Sequence, residues 1–224
     1  MDEPRLSVIV PVYNGERFLG EALSSVCGQS VVPMEIVVVD DGSTDGTAKI
    51  ARDFDLVRYV PQENGGPAAA RNRGVLNARG DLLAFLDHDD LWTPVKLGLQ
   101  LRRLKENPEL EMVSGHVQCL RLSDSGGWER HGFPRLMPLF GAILARRTVF
   151  ERVGPLDEKL RCTEDLDWFI RAREVGVRTA AMEETVLFYR LHGDNATRGW
   201  STGQAGYVRA VKKLLDRRRG LSSR

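Results

Sequence analysis

Apolar and polar positions switch between two periods along the first half of the chain. Leu6-Ser7-Val8-Ile9-Val10 is a short β-branched run, and Phe18, Leu19, Ala22, Leu23 and Val26 follow at helical spacing, which predicts a strand and then a helix. Glu35-Ile36-Val37-Val38-Val39 predicts a second strand, apolar on both faces as a central parallel strand is, with Thr44 or Asp45 capping the next helix. Leu56 to Val60 repeats the strand signal. Pro67, after Gly65-Gly66, opens a helix that runs through Arg71 to about Ala78, with Gly80 beyond its end. Leu82 to Leu86 reads as the fourth strand, and Thr93-Pro94 as cap and first residue of a helix carrying Leu97, Leu101 and Leu104. This βαβα order predicts an α/β fold with a mostly parallel central sheet and helices on both faces.

The second half is less regular and predicts a smaller, mixed region. Met112 to Leu122 reads as a strand, Ser123-Asp124-Ser125-Gly126-Gly127 as a turn or mobile loop, and Gly141 to Ala145 as another strand. Leu166, Phe169 and Ile170 give helical spacing to Glu164–Val175. Arg178 to Met182 and Val186 to Tyr189 read as short strands, and a last helix spans about Gln204 to Arg218. No internal repeat or low-complexity stretch marks a linker, so residues 1–224 read as one domain.

Composition narrows the classes. A chain of 224 residues with 42% hydrophobic content buries a full core. Lys and Arg number 32 against 31 Asp and Glu, a formal net charge of +1, which excludes a global electrostatic footprint for nucleic acid. Cys27, Cys119 and Cys162 are odd in number and lack CxxC spacing, so they suggest neither a zinc site nor a disulfide framework. Met1-Asp2-Glu3-Pro4 has no secretory pattern, and no apolar run approaches the roughly 20 residues of a membrane span. The expectation is a soluble, cytoplasmic chain. Its Lys212-Lys213 and Arg217-Arg218-Arg219 can at most touch anionic lipid at the inner face of a membrane, at about 1 kcal/mol per basic residue.

In open α/β sheets ligands bind beyond the carboxyl ends of the strands. The residues there are Pro11-Val12-Tyr13-Asn14-Gly15, Asp40-Asp41-Gly42-Ser43 and Asp87-His88-Asp89-Asp90. In an extended Asp87-His88-Asp89 both carboxylates face one hard cation and His88 faces away. Oxygen ligands favour Mg²⁺ or Mn²⁺ over zinc, and two such close charges need a cation or protons; a plain turn is the alternative. Of Asp40 and Asp41, one reads as turn chemistry and one as a ligand for a base or ribose, with Tyr13 against the base face. Arg71 either reaches a phosphate or base or lies on a solvated helix face. Glu164 and Asp165, behind Thr163, either answer the helix dipole or supply a carboxylate, held ionised by the helix end, that takes a proton from a hydroxyl. His192 is a third metal ligand, a diphosphate contact or a structural histidine. Trp92, Trp128, Trp168 and Trp200 are core, rim or sugar platforms.

Together, Ser7-Val8-Ile9-Val10-Pro11-Val12-Tyr13-Asn14, Val39-Asp40-Asp41-Gly42-Ser43-Thr44-Asp45, Asn64-Gly65-Gly66 with Ala70-Arg71-Asn72, Phe85-Leu86-Asp87-His88-Asp89-Asp90 and Glu164-Asp165 resemble the family 2 glycosyltransferases of GT-A fold. The resemblance spans nearly the whole chain. It implies inverting transfer of a sugar from a UDP-, GDP- or dTDP-linked donor to a glycan, glycolipid or protein acceptor, with Mn²⁺ or Mg²⁺. It implies that Pro11, Tyr13, Asp41 and Arg71 contact the nucleoside, that Asp87 and Asp89 serve ribose and metal, and that Asp165 is the catalytic base. The Tyr189-Arg190-Leu191-His192 pattern implies a metal or diphosphate contact for His192. The middle His88 is a variable position of that pattern. Residues 1–92 then form the nucleotide-binding half, 93–200 the acceptor and catalytic half, and 201–224 a C-terminal helix and basic tail. Acceptor-side residues, Trp128 and Glu164 among them with His131 as a further suggestion, are expected in or near a partly mobile stretch from Leu122 to Pro138. A nucleotidyltransferase is the less favoured alternative, since no glycine- and lysine-rich loop follows the first strand; a non-catalytic nucleotide-sugar-binding protein is the other. Neither donor base nor oligomeric state is indicated.

Overall fold

A computed structural model describes residues 5–160, 163–193 and 212–217. The expected parallel strands are present as β1 (Leu6–Val12), β2 (Glu35–Asp40), β3 (Val57–Pro61) and β4 (Leu82–Phe85). β1 lies between β2 and β4, with β3 outside β2, all four parallel. Successive side chains leave opposite faces. Val8, Val10, Ile36 and Val38 therefore enter one core, and Ile9, Val37 and Val39 enter the other. The first core is covered by α1 (Leu19–Cys27), α2 (Thr47–Arg52) and, after α3 (Pro67–Asn77), by α4 (Lys96–Glu106). The second is covered by α3, α5 (Arg147–Val153) and α6 (Glu164–Glu174). Burying each large aliphatic side chain stabilises by about 1.5–3 kcal/mol, which is why the apolar runs occupy both faces. α3 lies so close to β1 that a Cβ on Gly74 would stand 2.2 Å from Ile9 Cγ2.

Five further strands complete the sheet: β5 (Leu91–Trp92), β6 (Met112–Leu122), β7 (Trp128–Arg135), β8 (Ile143–Arg146) and β9 (Thr179–Leu191). The order is β3-β2-β1-β4-β8-β6-β9-β5, with β7 on β6. β8 is antiparallel to both β4 and β6, whereas β9 runs parallel to β6. The mixed pairing begins at β8, so the residues just past the carboxyl ends of β1, β2 and β4 sit beside those contributed by the second half.

Several expectations change. The irregular stretch from Leu122 to Pro138, expected to be partly mobile, contains β7, antiparallel to β6 from Leu122↔Trp128 to Val117↔Arg135. Its mostly exposed, charged residues carry no apolar alternation. The two short strands expected at 178–189 are one strand, because β6 pairs with β9 on both sides of Glu183-Glu184 through register shifts near His116. Residues Gly141 and Ala142 belong to a 3-10 turn, Phe140–Ala142, and only then does β8 start. α4 starts at Lys96 rather than Pro94, since Thr93 Oγ1 donates instead to Thr185 O at 3.0 Å. Neither Thr44 nor Asp45 is the cap of α2; Asp45 Oδ1 accepts from Thr47 N at 3.0 Å one residue further out.

Of the last expected helix, residues 212–217 are described and helical. There Lys213 pairs with Asp157, and Arg217 with Asp167 at 3.1 Å and Glu174 at 2.9 Å, so these two basic side chains are bound to the domain itself. Cys162, Trp200, Arg218 and Arg219 lie outside the described residues. No helix among the described residues is long and apolar enough to cross a membrane.

Candidate active site

The loops past β1 and β2 are stitched together. Asn14, at φ 48°, accepts at Oδ1 from Thr44 N at 2.9 Å, and its own N–H donates to Ser43 Oγ at 2.8 Å. Pro11 is buried within β1, and Tyr13 beyond it is 49% exposed. Asp40 is the turn residue, accepting from Ser43 N at 2.8 Å and from the Tyr59 hydroxyl. Asp41 also has a structural task. Its Oδ1 accepts from Gln62 Nε2 at 2.7 Å and Gly65 N at 2.8 Å, and its Oδ2 from Gly66 N at 2.8 Å. It thereby fixes the Gly66 turn (φ 89°) that aims α3 at the sheet's carboxyl edge.

One turn into α3, Arg71 is buried, at 5% exposure, rather than on a solvated face. Its Nη2 donates to Asp87 Oδ1 at 2.7 Å and its Nη1 to Glu164 Oε1 at 2.9 Å; Asp165 Oδ1 stands 3.5 Å from Nη1. The Phe140 ring backs the guanidinium at 5.6 Å. Both terminal nitrogens thus face carboxylates. Burial opposes the Arg71 charge, but Asp87, Asp165 and Glu164 outweigh it and hold the pKa above the usual arginine value.

Asp165 occupies the first turn of α6. Oδ2 accepts from Phe140 N at 3.4 Å, and Oδ1 takes no hydrogen bond. Burial pushes its carboxyl up, Arg71 opposes, and Glu164 and Asp87 add to the rise, leaving it at about 7. The expectation that the helix end holds this carboxylate ionised at neutral pH thus meets an opposing desolvation that brings its pKa close to neutrality. Desolvation and two neighbouring carboxylates outweigh the dipole and the arginine.

Asp87–Asp90 is a turn closed by Asp90 N donating to Asp87 O at 3.0 Å, not an extended triplet. The two outer carboxylates consequently have different partners. Asp87 turns to Arg71, whereas Asp89 Oδ2 lies 3.0 Å from His192 Nε2. Among the described residues no group of three His, Cys, Asp or Glu side chains is gathered for a metal. The Asp89–His192 pair offers one oxygen and one nitrogen donor side by side, a set that suits Mn²⁺ and, less closely, Mg²⁺. His88 packs on Gly15, where an added Cβ would meet its Cδ2 at 2.8 Å.

Sequence reasoning missed the groups that hold this pair. Arg190, fully buried, donates to the Asp89 carbonyl and the Glu21 carboxylate, and its guanidinium lies 4.8 Å over the Phe18 ring and 5.6 Å from the Trp128 ring centre. Phe18 in turn packs on His192 at 4.7 Å, so Trp128 does reach the site's rim. Asp90 is buried at 2% exposure and accepts from Arg190 N at 2.9 Å; burial, with Asp89 and Asp87, pushes its carboxyl well above the usual range. Period-two alternation along β9 places Arg190 and His192 on one face, a signal available once the strand is known. Arg190→Met is expected to cost about 3 kcal/mol, since it leaves buried polar groups uncompensated. A urea unfolding midpoint equal to wild type would contradict that role.

Residues 7–150 match the family described as Glycosyl transferase family 2. An uncharacterized glycosyltransferase of Rickettsia prowazekii (strain Madrid E) is 33% identical over 184 residues, covering 74% of this chain and 58% of its own length. The uncharacterized glycosyltransferase EpsJ of Bacillus subtilis (strain 168) is 29% identical over 222 residues, covering 87% of this chain and 63% of its own length. This chain therefore spans less than two thirds of these relatives. Among solved structures, S. aureus TarS 1–349 in complex with UDP-GlcNAc superposes with a TM-score of 0.74 at 22% identity, over 87% of this chain and 61% of TarS. The sheet, the acidic crevice at its carboxyl edge and the match over residues 7–150 agree: the chain belongs to glycosyl transferase family 2.

Proposed function

We propose that the chain moves a sugar from a nucleoside-diphosphate donor, a UDP-sugar by the parallel with TarS, to an acceptor hydroxyl with inversion at the anomeric carbon. The placement of Asp165 carries this reading. It is a largely buried carboxylate in the first turn of α6, with one oxygen uncommitted to any hydrogen bond, 3.5 Å from Arg71 Nη1, and a pKa of about 7, suited to taking a proton at neutral pH once an acceptor hydroxyl reaches it. Glu164 Oε1 accepts from Arg71, and its Oε2, like Asp165 Oδ1, takes no hydrogen bond; Asp165, whose carboxyl is pushed up to about 7, is read as the single base that direct displacement requires. Tyr13 lies against the nucleoside, with Pro11 and Asp41 shaping the pocket behind it, and Asp87 meets the ribose. Asp89 and His192 would hold Mn²⁺ or Mg²⁺. When bound, the ion neutralises charge on the departing diphosphate. Trp128, at the rim, faces the acceptor.

Calorimetric titration with UDP-, GDP- and dTDP-sugars, with and without Mn²⁺, tests the reading. Metal-dependent binding of one nucleotide class is expected; binding of none by folded protein sinks it. Turnover has its own signature. Since Asp165 acts only without its proton, kcat/KM is expected to rise with pH through a midpoint of about 7. A profile flat across that window is incompatible with Asp165 as the base.

A further inference from the structure

One backbone segment that contacts Asp165 is gripped from beneath. Phe140 N donates to Asp165 Oδ2 at 3.4 Å, and its ring backs Arg71 while packing on Trp168 at 5.1 Å and Phe169 at 5.3 Å, both on α6. The carbonyls of the next three residues are each taken, in order, by a side chain from β5 or α4. Trp92 Nε1 donates to Gly141 O, Gln100 Nε2 to Ala142 O and Lys96 Nζ to Ile143 O, each at 2.9 Å. The three donors also brace one another. Lys96 Nζ donates to Gln100 Oε1 at 2.7 Å and lies 4.3 Å from the Trp92 ring centre. Lys96 and Gln100 are wholly buried, and Trp92 is 3% exposed. Burying an amine and an amide in a core costs stability unless each polar atom is satisfied, and here they are satisfied by the backbone that leads out of Phe140.

We propose that Lys96, Gln100 and Trp92 form a three-point clamp that sets the position of Phe140, and through it the placement of the Asp165 carboxylate and the Arg71 guanidinium. They are positioning residues for the transfer reaction, an inference that rests on Asp165 being its base. All three are buried and reach the turn through its backbone carbonyls. Their lever is geometric: an error of about 1 Å in a reacting group costs up to roughly a hundredfold in rate.

Trp92→Phe removes the indole N–H and keeps most of the ring, so it is the first variant to measure. Its kcat is expected to fall about tenfold with donor KM unchanged within about twofold. The rising limb of its pH–rate profile is expected to move to higher pH, because the Phe140 N–H that lowers the Asp165 pKa is loosened. Gln100→Glu, which keeps an acceptor for Lys96 but removes the donor to Ala142 O, is expected to act in the same direction and serves where Trp92→Phe does not fold. A folded variant with wild-type kcat and an unmoved limb overturns the clamp. A raised donor KM at constant kcat overturns it as well, since the effect then lies in donor binding. Activity retained in Asp165→Asn would remove the base assignment itself, whereas an inactive Asp165→Asn beside an unaffected Trp92→Phe removes the clamp alone.

Discussion

Asp165→Asn is expected to abolish measurable transfer, a loss of at least about 10² to 10⁴ in turnover, while donor affinity stays close to wild type. The variant keeps the size of the side chain and an oxygen for the Phe140 N–H, and Arg71 keeps its bonds to Asp87 and Glu164. What disappears is the proton acceptor. Stability supplies an independent check with a definite sign. Folding raises the Asp165 pKa to about 7, so its stabilising contribution is complete below the unfolded carboxyl value and is lost as pH rises through about 7. The asparagine variant lacks this ionisation, and at pH 8 it is expected to be no less stable than wild type. Thermal unfolding measured at pH 5 and pH 8 reads the difference directly. A variant that loses donor affinity but keeps its turnover per bound donor would move Asp165 from the acceptor side of the reaction to the donor side.

The first half of the fold was legible because both of its signals are local. Ile36 to Val39 are apolar on both faces as a buried parallel strand demands, and Gly65-Gly66-Pro67 marks the turn into α3 with the only residue types that suit it. β7 and the middle of β9 were not legible, since Glu129 and Arg130 lie in a strand through pairing with β6 rather than through their own burial, and Glu183-Glu184 sit at the register shift between two stretches of β9 that pair with β6. The site divides in the same way. Its residues could be picked out because acidic runs follow strands in an α/β order, but their partners are long-range. Arg71 and Glu164 are 93 positions apart, and Asp89 and His192 are 103 apart. Spacing along the chain therefore suggested that Asp87 and Asp89 share one cation and that Arg71 reaches the nucleoside. What spacing does not show is that Arg71 gathers three carboxylates and that Asp87 and Asp89, in one turn, have different partners.

That difference in partners gives the second large effect. Asp89→Ala and His192→Ala are each expected to remove the Mn²⁺ dependence of donor binding and to weaken binding at saturating Mn²⁺ by at least about tenfold; loss of even an outer-shell partner typically costs 10- to 100-fold. Asp87→Ala is expected to act differently, releasing Arg71 toward Glu164 and Asp165 and lowering turnover more than metal dependence. The Asp89 variant tests the carboxylate alone, because Arg190 holds the residue-89 carbonyl, which alanine retains. His192 is held from the other side by Phe18 at 4.7 Å, so its replacement leaves β9 anchored through Arg190 and Asp90. If both side chains bind one ion, the double variant is no worse than the weaker single one, because the second change removes a ligand from a site already lost. Additive losses would mean two separate contacts to the donor, a carboxylate to the sugar and an imidazole to the diphosphate. Equal Mn²⁺ dependence in wild type and both variants would take the ion away from this pair altogether and leave their 3.0 Å contact as a brace between the β4 turn and the end of β9.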